Sequence, residues 1–140
     1  ILSQRVQQAT WNQAISGDVF QLEASQKWFV DDGDANLSQR VVDGDIHPTG
    51  ALTGRGTLPS QSEALQIEQA VLASHPIWQA GLEKLGLKQE RRPLRVNPKN
   101  MDWSWLDSQT LSISFDLPAG SYATMVIREL CQVHFEQSPQ

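Results

Sequence analysis

The stretch Leu117-Pro118-Ala119-Gly120-Ser121-Tyr122-Ala123-Thr124-Met125-Val126-Ile127-Arg128-Glu129-Leu130 decides how this chain is read, because in it a strand breaks, turns and starts a helix. Just upstream, Leu111, Ile113, Phe115 and Leu117 alternate with Ser112, Ser114 and Asp116, the period of two that buries one face of a strand and wets the other. Pro118 has no N–H to extend a ladder. Gly120 tolerates the positive φ of a tight turn, and Ser121 is placed to cap the helix by accepting a first-turn backbone N–H. Tyr122 is therefore expected at the mouth of a helix N-terminus. Unpaired N–H groups there suit a phosphate or ribose oxygen, and the ring offers a stacking face to a flat ligand. A tyrosine that merely plugs the corner accounts for the same residues.

Working outward, strands are expected near 91–96, 101–106 and 110–117, the last two joined by Asp107-Ser108-Gln109 as a hairpin turn. Ala64, Leu65, Ile67, Glu68, Val71 and Leu72 recur at helical spacing from Ser60 or Ser62 to His75-Pro76. Trp78, Leu82 and Leu85 form a second helical face that ends at Gly86. Nearer the start, residues 1–10 read as helix, and 18–22 and 27–31 as strands around a turn over 23–26. Asp31-Asp32-Gly33-Asp34 reads as a turn capping a helix from Asn36 to Val42. Residues 46–60, with Pro48, Gly50, Gly54, Gly56 and Pro59, read as a long irregular loop, in which His47-Pro48-Thr49-Gly50 fixes backbone shape. The organisation is α+β, and the clearest boundary lies around Glu90 to Pro98.

With 140 residues, 39% of them hydrophobic, the chain can fill one core or two half-cores. No apolar run approaches the roughly 20 residues of a membrane span, and no secretory signal is visible. A soluble protein of the cytoplasm is expected, with no membrane partner. Eleven basic against sixteen acidic residues give a net charge of −5, which argues superficially against a polyanionic partner. The distribution softens that objection: Lys84, Lys88, Arg91, Arg92 and Arg95 form a short basic run suited to phosphates, or equally to a solvated helix end.

Other chemistries find little support. The aspartates at 31–34 and 43–45 lack the spacing of a calcium loop, and His47, His75 and His134 lack partners at zinc-ligand spacing. Ala119-Gly120-Ser121-Tyr122-Ala123 is not a nucleophile elbow, and Gly54-Arg55-Gly56 is too short for a phosphate loop. Cys131 reads as a small core hydrophobe and Arg128 as half of a structural ion pair. Neither a calcium nor a zinc site is expected from these residues.

The run from Leu117 to Leu130 resembles the C-terminal motif of the tRNA pseudouridine synthase D (TruD) family. Gly17-Asp18-Val19-Phe20-Gln21-Leu22 with Trp28-Phe29-Val30, the element Asp45-Ile46-His47-Pro48-Thr49-Gly50, and Glu90-Arg91-Arg92-Pro93-Leu94 with Trp103-Ser104-Trp105 follow in the order that family shows. The resemblance implies an α+β fold in which residues 1–90 are the later part of an insertion domain. Residues 91–140 would be the C-terminal part of the catalytic domain, an antiparallel sheet with helices. It implies isomerisation of uridine 13 of tRNA to pseudouridine by the full-length protein, with tRNA and the N-terminal remainder of the same protein as partners. Tyr122, Ser121 and Gly120 would bind the substrate base, Tyr122 standing where the family usually has phenylalanine. Lys84, Lys88, Arg91, Arg92 and Arg95 would contact the RNA backbone, and no metal or organic cofactor is implied. The family's aspartate lies in a Gly-x-Lys-Asp motif that these residues lack, and the chain opens without methionine inside an apolar pattern. A C-terminal fragment, inactive alone and with no catalytic residue of its own, is therefore expected. The alternative is a non-catalytic RNA-binding module.

Overall fold

The computed structural model describes residues 1–23, 25 and 27–132, so His134 and two positions of the 23–26 turn lie outside the described residues. The chain divides into two compact units, Ile1–Arg95 and a second from Val96 onward. In chain order the elements are α1 (Leu2–Gln7), β1 (Val19–Leu22), β2 (Trp28–Val30), α2 (Leu37–Asp43), β3 (Ile46–Leu52), α3 (Ser62–Ala73), α4 (Pro76–Lys84), β4 (Glu90–Pro93), β5 (Lys99–Trp105), β6 (Leu111–Asp116) and α5 (Ala123–Leu130).

The first unit carries a four-stranded antiparallel sheet in the order β2-β1-β3-β4. Its core is Phe20, Leu37, Val41 and Ile46, against which Ala14, Leu22 and Phe29 pack. Burial of side chains this size stabilises by about 1.5–3 kcal/mol each. The rings of Phe20 and Phe29 lie 5.7 Å apart, and the Arg40 guanidinium stands over Phe29 at 5.6 Å.

The loop expected over 46–60 is in fact the central strand for its first half. Proline is normally excluded from such a position, but Pro48 sits where β3 changes partners. Ile46–Pro48 pair with β1 and Thr49–Leu52 with β4, so the missing N–H falls at the handover, while the Pro48 carbonyl accepts from Leu94 N at 2.9 Å. At Gly50 a Cβ would come within 2.9 Å of the Leu94 side chain and 3.2 Å of Ile1. Its bareness lets those side chains close over the strand.

Buried charge ties the elements together. Arg5 donates to both carboxylate oxygens of Asp18 at 2.8 and 3.1 Å and to the carbonyls of Thr10 and Gln13. Burial pushes the Asp18 carboxyl above its ordinary value, against the pull of Arg5. Glu68, which helical spacing placed on the inner face of α3, is buried because Arg91 meets it there at 2.8 Å.

The Asp31 to Asp34 turn is a chain of aspartate-to-backbone bonds: Asp31 accepts from Gly33 N, Asp32 from Asp34 N and Asp34 from Asn36 N. The N-cap of α2 is Asn36, without a side-chain cap bond. Nor does Ser60 cap α3; its hydroxyl donates to Glu68 at 2.7 Å instead.

The second unit is a hairpin followed by a helix. β5 and β6 pair in register from Asp102↔Ser114 to Trp105↔Leu111, and a bulge between Lys99 and Asp102 carries Asn100 at φ 49°. Asp107 closes the turn by accepting from Gln109 N and Thr110 N, both at 2.7 Å. Those bonds, the Gln109 one foremost, hold its carboxyl below the ordinary 3.8. A depressed carboxyl adds stability above its unfolded value and loses it as pH falls through the folded one. Acid titration below pH 3.8 should therefore shift the Gln109 and Thr110 amide signals together, and Asp107→Ala should abolish that shared transition.

Candidate nucleobase corner and basic surface

The opposing positions Trp103↔Ile113 and Trp105↔Leu111 lie on one face of the hairpin, and Asp102↔Ser114 and Ser104↔Ser112 on the other. This is the alternation that residues 111–117 foretell. Ile113, Phe115 and Leu117 are half-buried, whereas Trp103 and Trp105 are exposed.

Past Asp116 the chain turns as expected. Ser121 N donates to the Pro118 carbonyl at 3.1 Å, and Gly120 has φ +85° with open space where a Cβ would stand. Gly120→Ala should therefore cost about 1 kcal/mol through φ alone, without a clash, lowering the melting temperature of the full-length protein by a few degrees.

The cap differs from expectation. Tyr122, not Ser121, is the N-cap of α5, with extended φ −113° and ψ 118°, and no side chain caps the helix. Its carbonyl accepts from Met125 N at 3.0 Å. Ser121 belongs to the 118–121 turn, and α5 begins only at Ala123, one position later than a serine cap requires. Tyr122 thus stands at the helix mouth with its side chain free of the core, 71% exposed. Cys131, expected in the core, is the exposed C-cap of α5. Arg128 is exposed in the last turn, and no ion pair forms to it among the described residues.

The basic run separates into two sets. Arg91 donates to Thr49 Oγ1 at 2.9 Å, to the Thr49 carbonyl at 2.8 Å and to Glu68, and its side chain is 2% exposed. Arg95 donates to His47 Nδ1 at 2.9 Å and to the carbonyls of Val41 and Ile46. Burial lowers the Arg95 pKa, partly offset by Glu23. His47, expected only to shape a loop, is a buried hub that also meets Glu23 through Nε2. Lys84, Lys88 and Arg92 are exposed.

The fold adds a cation that distance in sequence hid. Arg55 and Lys88 form a parallel β-bridge, with Arg55 N donating to Leu87 O at 2.7 Å and Gln89 N to Arg55 O at 3.0 Å. A Cβ on Gly54 would lie 2.5 Å from the Lys88 backbone, so glycine is what permits this approach. The glycine beside Arg55 was the available signal.

A family model of tRNA pseudouridine synthase D (TruD) matches residues 1–130. The chain belongs to that family. It is 75% identical over 136 residues to the tRNA pseudouridine synthase D of Hydrogenovibrio crunogenus, covering 97% of this chain and 39% of that one. To the enzyme of the same name from Aeromonas salmonicida it is 45% identical over 133 residues, covering 94% and 38%. A crystal structure described as a TruD protein from Methanosarcina mazei superposes with a TM-score of 0.68 at 25% identity, covering 91% of this chain and 34% of that one. The α+β architecture is thus that of part of a TruD protein, and the chain spans 39% of the length of the first relative. Among the described residues no helix is long and apolar enough to cross a membrane.

Proposed function

We propose that the full-length protein isomerises uridine 13 of tRNA to pseudouridine in the cytoplasm, and that this chain contributes one wall of the pocket for the flipped base. Family membership across residues 1–130 carries the reading. The base would be detached, rotated and rejoined to its ribose through carbon. An aspartate outside these residues would perform the covalent or proton-abstracting step, so the 140-residue chain alone is expected to be inactive. Residues 1–90 would belong to the later part of the insertion domain, and residues 91–140 to the C-terminal part of the catalytic domain.

Within that wall, Tyr122 would stack on the extruded uracil, with Gly120 and Ser121 shaping the turn that presents it. Stacking contributes about 1–3 kcal/mol per base, enough to offset much of the few kcal/mol that unstacking costs. The exposure of Tyr122 at the α5 N-terminus supports this role, since a ring that only filled the corner would be covered by it. Backbone phosphates would fall to Lys84, Lys88 and Arg92, which are exposed, whereas Arg91 is buried against Glu68 and Arg95 bonds His47.

The test is conversion of unmodified tRNA by the full-length protein, read by nucleoside analysis and by loss of product when uridine 13 is replaced by cytidine. Tight tRNA binding with every uridine left unchanged would sink the enzyme reading in favour of an RNA-binding module.

A further inference from the structure

Arg55 and the exposed apolar side chains of α4 have no role in the function proposed above. Arg55 Nε donates to the Glu83 carbonyl in the last turn of α4 at 2.7 Å, which brings its guanidinium to the helix end that carries Lys84. The bridge to Lys88 sets the Arg55 and Lys88 side chains side by side. Arg55, Lys84 and Lys88 therefore converge from three segments on one exposed surface, and no acidic side chain pairs with them among the described residues. Glu83, next to Lys84 in sequence, is half-buried and accepts from Gln79 at 3.2 Å, while Glu90, two residues past Lys88, is exposed.

Apolar surface lies on the same helix as Lys84. Trp78 is 73% exposed and Ile77 84%, although both lie on α4. Helical periodicity puts Ile77, Gly81 and Lys84 on one stripe with Trp78 and Leu85 beside it, and Gly81 leaves open space between them. An indole left in water on the helix whose C-terminal end carries these cations, on a chain of net charge −5, is matched by a ligand with a flat π-face and negative charge. A stack of unpaired nucleotides has both.

We infer that this surface binds a single-stranded segment of the RNA substrate, with Trp78 stacking on an unpaired base and Arg55, Lys84 and Lys88 holding the flanking phosphates. The inference rests on the proposal that the full-length protein works on tRNA, and it adds Trp78 and Arg55 to the residues that contact the RNA.

The experiment measures tRNA affinity of the full-length protein across a salt series, with far-UV circular dichroism as a check on folding. Trp78→Ala should weaken binding about tenfold without changing the salt slope, and Trp78→Phe should recover most of that loss. The triple variant Arg55→Gln, Lys84→Gln, Lys88→Gln should flatten the slope of log K against log salt by about 2, at about 0.7 per single-strand phosphate contact. A photoreactive uridine placed in the loops of the tRNA should crosslink to the peptide containing Trp78. Wild-type affinity and slope in both variants would overturn the inference and, with it, the phosphate contacts given above to Lys84 and Lys88, while uridine conversion by the wild-type protein tests the enzyme reading separately. Trp78→Ala that lowers the melting temperature or disperses an oligomer at unchanged tRNA affinity would overturn it too, since the face would then cover protein. If the wild-type protein binds tRNA but converts no uridine, the enzyme reading falls and this surface stands.

Discussion

Arg91→Ala should destabilise the protein by about 3–5 kcal/mol, because it strips one partner from a buried ion pair and leaves the other uncompensated. Glu68 is 2% exposed and lies 2.8 Å from the guanidinium. It also accepts from Ser60 Oγ at 2.7 Å and from Ala51 N at 3.2 Å, while Arg91 spans Thr49 through both its hydroxyl and its carbonyl. One guanidinium thus joins β3, β4 and α3. Losing it leaves a carboxylate that must stay charged in a dry site or take up a proton, and both are costly. The measurement is the urea midpoint of the full-length protein, with exposed Lys88→Ala expected to stay within about 0.5 kcal/mol of wild type. Glu68→Leu combined with Arg91→Met should regain much of the loss, since two apolar side chains of similar size leave no charge behind. A change below about 1 kcal/mol in Arg91→Ala would show that water reaches the pair.

Tyr122→Ala should lower uridine conversion by the full-length protein by about 10- to 100-fold, the equivalent of a lost base stack of about 1–3 kcal/mol. Tyr122→Phe keeps the ring and should retain most activity. The pair of variants separates stacking from hydrogen bonding. Equal losses in both would place the phenolic hydroxyl, rather than the ring, against the substrate. Because Tyr122 is 71% exposed in this chain, truncating it should leave thermal stability nearly unchanged. Near-wild-type turnover in Tyr122→Ala would remove this residue from the proposed pocket.

The elements with strong local signals were legible in advance. The alternation at 111–117, the Asp107 turn, the glycine at 120 and the proline at 76 each act through the residue's own backbone or its immediate neighbours. The central strand β3 was not legible, because His47-Pro48-Thr49-Gly50 has the composition of a turn. Its extension depends on β1 and β4 taking over from one another at Pro48. The cap at α5 was missed by one residue, since Ser121 belongs to the preceding turn and the helix begins at Ala123. Cys131 looked like core on composition, but the described residues leave it exposed.

The basic run shows most plainly what sequence proximity conceals. Arg91 and Arg92 are adjacent, yet strand alternation sends the first to a buried carboxylate and the second to the surface. Arg55 lies far from the run in sequence but is drawn beside Lys88 by a backbone approach that only Gly54 allows. By itself the sequence determined family membership, the mixed α+β character and the strand-turn-helix corner that presents Tyr122, because these rest on local backbone preference and on motif order. Only the tertiary structure decided which cations are held inside and which face water. Burial and ion pairing depend on strands and helices brought together from distant segments, and no local pattern records that distance.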